Sequence, residues 1–175
     1  MEDITNIHPD REQITNISQI MVFPLKGAQG IQVSKLILEN GSLAGDRVFS
    51  IVDIKDGDCR VINSRNSSQI AGISLKPDNS GYTISFHGNN TPFHLPDPRN
   101  YQIDNIHGRT ATIKGKSLDV ITIPDSQEWL GDVVGLDNHQ IVLKRPFSSR
   151  PIDHRYNFEP SGGQIFFADN APLHV

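Results

Sequence analysis

Turn-forming residues interrupt this chain so regularly that neither a long helix nor a long strand can be drawn through its first two thirds. Asn40-Gly41, Asp56-Gly57, the run from Pro77 to Gly81, Gly88-Asn89-Asn90, Gly108 and Gly115 each end a short apolar or alternating stretch. The stretches between them predict strands over 17–23, 31–38, 48–53, 59–62, 73–75, 82–86, 92–95, 101–106, 110–113 and 118–123. The Asp56-Gly57 pair marks a hairpin, and residues 77–81 read as a turn. Many short strands at this spacing belong to barrels and sandwiches, so the expectation is a mostly β fold with a barrel-like sheet over 17–123. One helix is expected at about 125–134. Asp125 is its N-cap and Glu128 completes a capping box; Trp129, Leu130, Val133 and Val134 share a face, and Gly135 ends it.

The same pattern divides the chain. Residues 1–16 are polar and unpatterned and are expected to be loose, while 17–144 form the barrel domain, with a last strand at 140–143. Patterning lapses over 145–163, a linker, and resumes with a strand at 164–168 that would open a further domain. Because the sequence stops at Val175, we expect a truncated chain or a short natural variant.

Charge and cysteine content narrow the function. A net charge of −4, with the 16 Lys and Arg scattered, gives no basic face for nucleic acid. Cys59 is the single cysteine, which excludes an intrachain disulfide and a cysteine-based zinc site and suits a reducing compartment. The N-terminus lacks the apolar core of a signal peptide, and the longest apolar stretch, 20–25, is too short to cross a bilayer and contains Pro24. A cytoplasmic protein without a membrane segment is expected. The seven histidines show no metal-binding spacing, so no metal site is assigned, and no paired acid and base identifies a catalytic residue.

Three segments carry candidate chemistry. In Val22-Phe23-Pro24-Leu25-Lys26-Gly27-Ala28-Gln29-Gly30, a strand runs into a lysine and a glycine loop, which would offer a cation and free backbone amides to an anion. The order of a phosphate-binding P-loop is absent, and a solvated turn with a surface lysine is the plainer reading. Gly41 to Arg47 ends in Asp46-Arg47 at a strand entry, where the arginine either braces its loop or faces a phosphate. Asn63 to Ser68 offers Arg65 among hydroxyl and amide side chains.

The order and spacing of these pieces resemble the MOSC N-terminal β-barrel family. Pro24-Leu25-Lys26 is similar to its Tyr-Pro-Ile-Lys-Ser start, Asp46-Arg47 to its Asp-Arg-x-Trp middle and Arg65 to its Thr-x-Arg piece. The Glu128-Trp129-Leu130 helix and Phe167-Ala168-Asp169-Asn170-Ala171-Pro172 resemble the run into the MOSC domain itself. Gly27-Ala28 replaces the usual Ser-Cys, Phe49 the usual Trp, and the molybdenum-ligating cysteine of the family would lie beyond Val175.

The resemblance implies the N-terminal module of a molybdenum-cofactor oxidoreductase acting on N-hydroxylated compounds. Its partners would be the pterin, a small substrate and an electron-transfer protein, with no nucleic acid and no membrane. Lys26 and Arg47 match positions that hold the pterin phosphate, and Arg65 is a further candidate expected near the edge of the same patch; Asp169, Asn170 and Ala171 match the segment meeting the cofactor from the MOSC side. Pyridoxal phosphate binding is carried along by the same resemblance. The isolated chain is expected to retain no molybdenum cofactor and to be inactive. Alternatives are a non-catalytic barrel that binds a small anionic ligand or partner, and a sulfur-carrier type of MOSC protein.

Overall fold

The computed structural model describes residues 18–39, 42–55, 58–99, 108–113, 116–144, 150–151 and 164–165. The chain enters through two small antiparallel pairs, β1 (Met21–Val22) with β2 (Ile31–Gln32) and β3 (Leu38–Glu39) with β4 (Ser42–Leu43). Then come β5 (Phe49–Lys55), β6 (Asp58–Val61), a 3-10 turn (Ser68–Gly72), β7 (Ile73–Asp78), β8 (Gly81–Phe86) and β9 (Phe93–Pro96). After β10 (Gly108–Ile113) and β11 (Lys116–Thr122), helix α1 (Ser126–Trp129) runs into a π-turn (Leu130–Val134). β12 (His139–Lys144), β13 (Arg150–Pro151) and β14 (Gln164–Ile165) complete the order, the last two pairing with each other.

The mostly β expectation holds. Five strands close a barrel in the order β10-β11-β12-β5-β6, and β7-β8-β9 form a separate sheet. β12, from beyond the helix, is one of the barrel staves, so the closed sheet extends past residue 123. Most staves pair antiparallel, but β6 and β10 close the ring in parallel, Ala111 opposite Cys59 and Thr112 opposite Arg60.

Alternation along the staves sorts side chains into two cores. Val52, Cys59, Val61, Ala111, Leu118, Val120 and Val142, drawn from all five staves, form one cluster that fills the barrel. Five strands enclose a narrow space, which suits valine, alanine and cysteine. Cys59 is thus a packing residue. The larger side chains, among them Phe49, Ile51, Ile73, Ile84, Ile121, Leu130 and Ile141, pack between the outer barrel wall, the three-stranded sheet and the helix.

Two local expectations are corrected. The strand over 73–75 continues to Asp78 through Pro77, and Asn79-Ser80 alone make the turn. β7 is an edge strand, where a residue without an N–H can sit with that side unpaired. Residues 31–38 are strand only at their two ends.

At the helix, Asp125 takes a left-handed conformation (φ 58°) and its side chain makes no cap, so the capping box does not form. Ser126 anchors this end. Its buried hydroxyl donates to the Ile123 carbonyl at 2.7 Å and accepts the Ile141 N–H at 3.0 Å, tying the helix to β11 and β12. Trp129 packs on Phe93 and donates its indole N–H to the Thr91 carbonyl at 2.8 Å, a core role as expected. Gly135 ends the helix at φ 76°.

Ser126→Ala would leave the Ile141 N–H buried and unpaired, a cost of about 1–3 kcal/mol. Urea unfolding should show a lower midpoint at unchanged slope; an unmoved midpoint would refute the anchoring role.

Candidate functional site

Residues 23–26 lie alongside 47–49 in a short parallel ladder. The Arg47 N–H donates to the Phe23 carbonyl (2.7 Å), Phe49 to Pro24 (2.9 Å) and Lys26 to Phe49 (3.0 Å), with Leu25 and Phe49 as bridge partners. This ladder brings the backbones bearing Lys26 and Arg47 together beside β5. Arg65 comes from the next loop. A Cβ at Gly27 would stand 3.1 Å from the Ser64 nitrogen, so the turn through Ser64 packs directly on the residue after Lys26. Gly27 is at φ +85°, which, with that crowding, requires glycine.

The three cations differ in setting. Lys26 is only 6% exposed and is engaged within the structure. Arg65 is exposed, its N–H held by the Asn63 Oδ1 at 2.8 Å. Arg47, itself left-handed at φ 49°, sets its guanidinium over the Phe23 ring at 5.9 Å. Asp46 braces this corner: Oδ1 accepts the Phe23 N–H at 2.9 Å, and Oδ2 lies 2.9 Å from Arg47 Nη1. The bracing reading of Asp46-Arg47 therefore describes part of the arrangement. It leaves a remainder. Although the charges are close, Arg47 Nη1 is buried without a hydrogen bond, so the contact is an ion pair out of line for N–H donation.

Part of the expected supply of loop amides is taken: Lys26, Ala28 and Gln29 donate to the Phe49, Leu25 and Ile73 carbonyls. What this corner offers is side-chain charge. Asp169, Asn170 and Ala171 lie outside the described residues. Among the described residues no cluster of His, Cys, Asp or Glu could hold a metal, and no helix is long and apolar enough to cross a membrane.

Sequence reasoning missed Lys144. Its N–H donates to the Val48 carbonyl at 3.0 Å, placing it at the β5 entry, and burial pulls its ammonium pKa down to about 8. Neighbouring β5 holds Ser50, fully buried, whose Oγ has no hydrogen-bond partner. The available signal was position alone: Lys144 directly extends an apolar strand.

The sequence signature of the MOSC N-terminal beta barrel domain matches residues 14–137. Among solved structures, the solution structure of a Bordetella bronchiseptica protein is similar, at 12% identity and a TM-score of 0.46, over 56% of this chain and 72% of the other. No curated protein matches the chain.

Lys144 predicts a pH effect of definite sign. Below about pH 8 it is charged whether folded or unfolded. Between about 8 and the ordinary lysine value of 10.5, only the unfolded chain keeps the proton, so this residue makes stability rise with pH across that window. Chemical denaturation from pH 7 to 11 should show that rise reduced in Lys144→Met; identical pH slopes would disprove the burial effect.

Proposed function

Since the chain belongs to the MOSC N-terminal β-barrel domain family, we propose that it is the barrel module of a molybdenum-cofactor protein, one that helps bind and orient the anionic end of the pterin. The supporting observation is Arg47 Nη1 beside the Lys26 ladder, a buried cationic donor that makes no hydrogen bond although it is ion-paired with Asp46 at 2.9 Å. Buried donors are rarely left unmatched, and a phosphate oxygen is a strong acceptor for a guanidinium.

In this proposal Lys26 and Arg47 neutralise the phosphate, and Arg65 reinforces them from the adjoining turn. Asp46 positions Arg47, while Phe23 presents a ring face beneath the guanidinium. Asp169, Asn170 and Ala171 would meet the cofactor from the MOSC side. When bound, the molybdenum centre would supply the redox chemistry for N-hydroxylated substrates, with electrons from a partner protein. Cys59 fits no part of this, being sealed inside the barrel.

A second reading, a non-catalytic module for another small anion, is favoured by the Lys26, Ala28 and Gln29 amides being taken internally and by Gly27 standing where the resemblance leads one to expect a hydroxyl residue. It shares the cations and differs in the ligand.

Charge-assisted contacts to a phosphate contribute about 1.5–3 kcal/mol each. In the complete, cofactor-containing protein, Lys26→Ala and Arg47→Ala should each weaken pterin-phosphate binding about tenfold or more, read from cofactor occupancy against dilution. If Arg47→Ala lowers only the melting temperature and occupancy stays level, Arg47 is a brace and the proposal fails. The 175-residue chain alone should carry no molybdenum by elemental analysis after gel filtration, because its one cysteine is buried away from this corner. Stoichiometric retained metal would overturn that expectation.

A further inference from the structure

A groove of roughly 220 Å3 lies between the β1–β2 hairpin and the β7–β8 hairpin. Its walls are Val22, Pro24, Ile31 and Val33 on one side and Pro77 and Tyr82 on the other. Strand alternation separates it from the cation corner: Val22 and Pro24 line the groove, while Phe23 between them lies under Arg47.

Only two polar side chains reach this space, and both are donors. The Tyr82 ring is fixed edge-on against Phe49 (6.2 Å between centroids). Its hydroxyl lies against Gly45, where an added Cβ would approach it to 3.3 Å, and it has no hydrogen-bond partner among the described residues. Burial raises its pKa above the ordinary tyrosine value, so near neutrality it stays a protonated donor. Lys35 is exposed at the groove and forms no ion pair among the described residues. No aspartate or glutamate lines the space. Asp97, whose charge adds to the upward pull on the Tyr82 hydroxyl, is held by the Arg99 guanidinium at 2.7 Å.

Ile37 adds a second observation. It is 50% exposed, the large apolar side chain that the described surface leaves most open, and it belongs to this groove. An apolar trough with an exposed isoleucine, a cation and a hydroxyl donor, and no carboxylate, selects its occupant by charge. A cation would meet Lys35 repulsively, and a polar neutral molecule would desolvate against the valine and isoleucine walls.

We propose that this groove binds a small amphipathic carboxylate, its aliphatic or aromatic body along Val22, Ile31 and Val33 and its carboxylate between Lys35 and the Tyr82 hydroxyl. The site is separate from the Lys26–Arg47 corner and does not depend on the cofactor proposal.

The test titrates the 175-residue chain with octanoate, 1-octanol and octylammonium while following amide and methyl NMR signals. Octanoate should bind saturably with a Kd of ~1 mM, about −4 kcal/mol, with shifts centred on Ile31, Ile37 and Ala44, and should bind at least tenfold tighter than octylammonium. Lys35→Glu, a change at an exposed position, should weaken octanoate tenfold or more and leave 1-octanol unchanged. Ala44→Phe should fill the trough and abolish binding of both. Two results overturn the proposal: octanoate no better than octylammonium, or shifts that fail to saturate or that lie away from the groove. Should Ala44→Phe not fold, the Lys35→Glu comparison still decides the matter.

Discussion

Phe49, Ser50, Ile51 and Val52 are buried in succession, and that double burial of β5 governs the molecule. Phe49 and Ile51 belong to the outer core, and Val52 to the barrel filling. One strand is therefore the common wall of two hydrophobic cores. A strand covered on both faces needs neighbours on both edges and cover above and below. β6 and β12 supply the edges, and the three-stranded sheet with the helix covers the outer face. The 23–26 segment can lie against the entry of β5 because Phe49 still has backbone groups to offer there. The candidate cation corner is thus a by-product of anchoring β5.

Charge at this corner follows from the same packing. Burying Asp46 and much of Arg47 costs solvation, and their mutual attraction with the Phe23 N–H returns part of it. The geometry stops short of full satisfaction, since one buried guanidinium nitrogen keeps no hydrogen bond. Lys144 shows the complementary response at the same end of β5: a lysine whose proton affinity drops under burial.

The staves were legible because alternation and turn residues are local signals, as at Cys59-Arg60-Val61, where burial follows the alternation. What misled was context. Pro77 looks like a stop until its strand proves to be an edge, and Asp125 looks like a cap until its backbone turns left-handed and Ser126 takes over the anchoring. For the site, Lys26, Arg47 and Arg65 could be picked out, and the fold does bring their segments side by side. Which amides would remain available could not be read, because the acceptors for Ala28 and Gln29 are set by packing, and Ile73 lies far along the chain. Lys144 and Tyr82 gave no motif at all; their settings exist only after the strands meet.

The parallel seam between β6 and β10 has a kinetic meaning. It joins strands on either side of the entire β7–β9 excursion, and two residue pairs hold it among the described residues. Hairpins such as β5–β6 and β10–β11 close over short loops, whereas this seam must overcome the entropy of a long one. Until it shuts, β6 and β10 each present a bare edge to other chains. Loop-closure entropy therefore favours sealing the barrel last, at this short join, with the small side chains of its interior solvated until then.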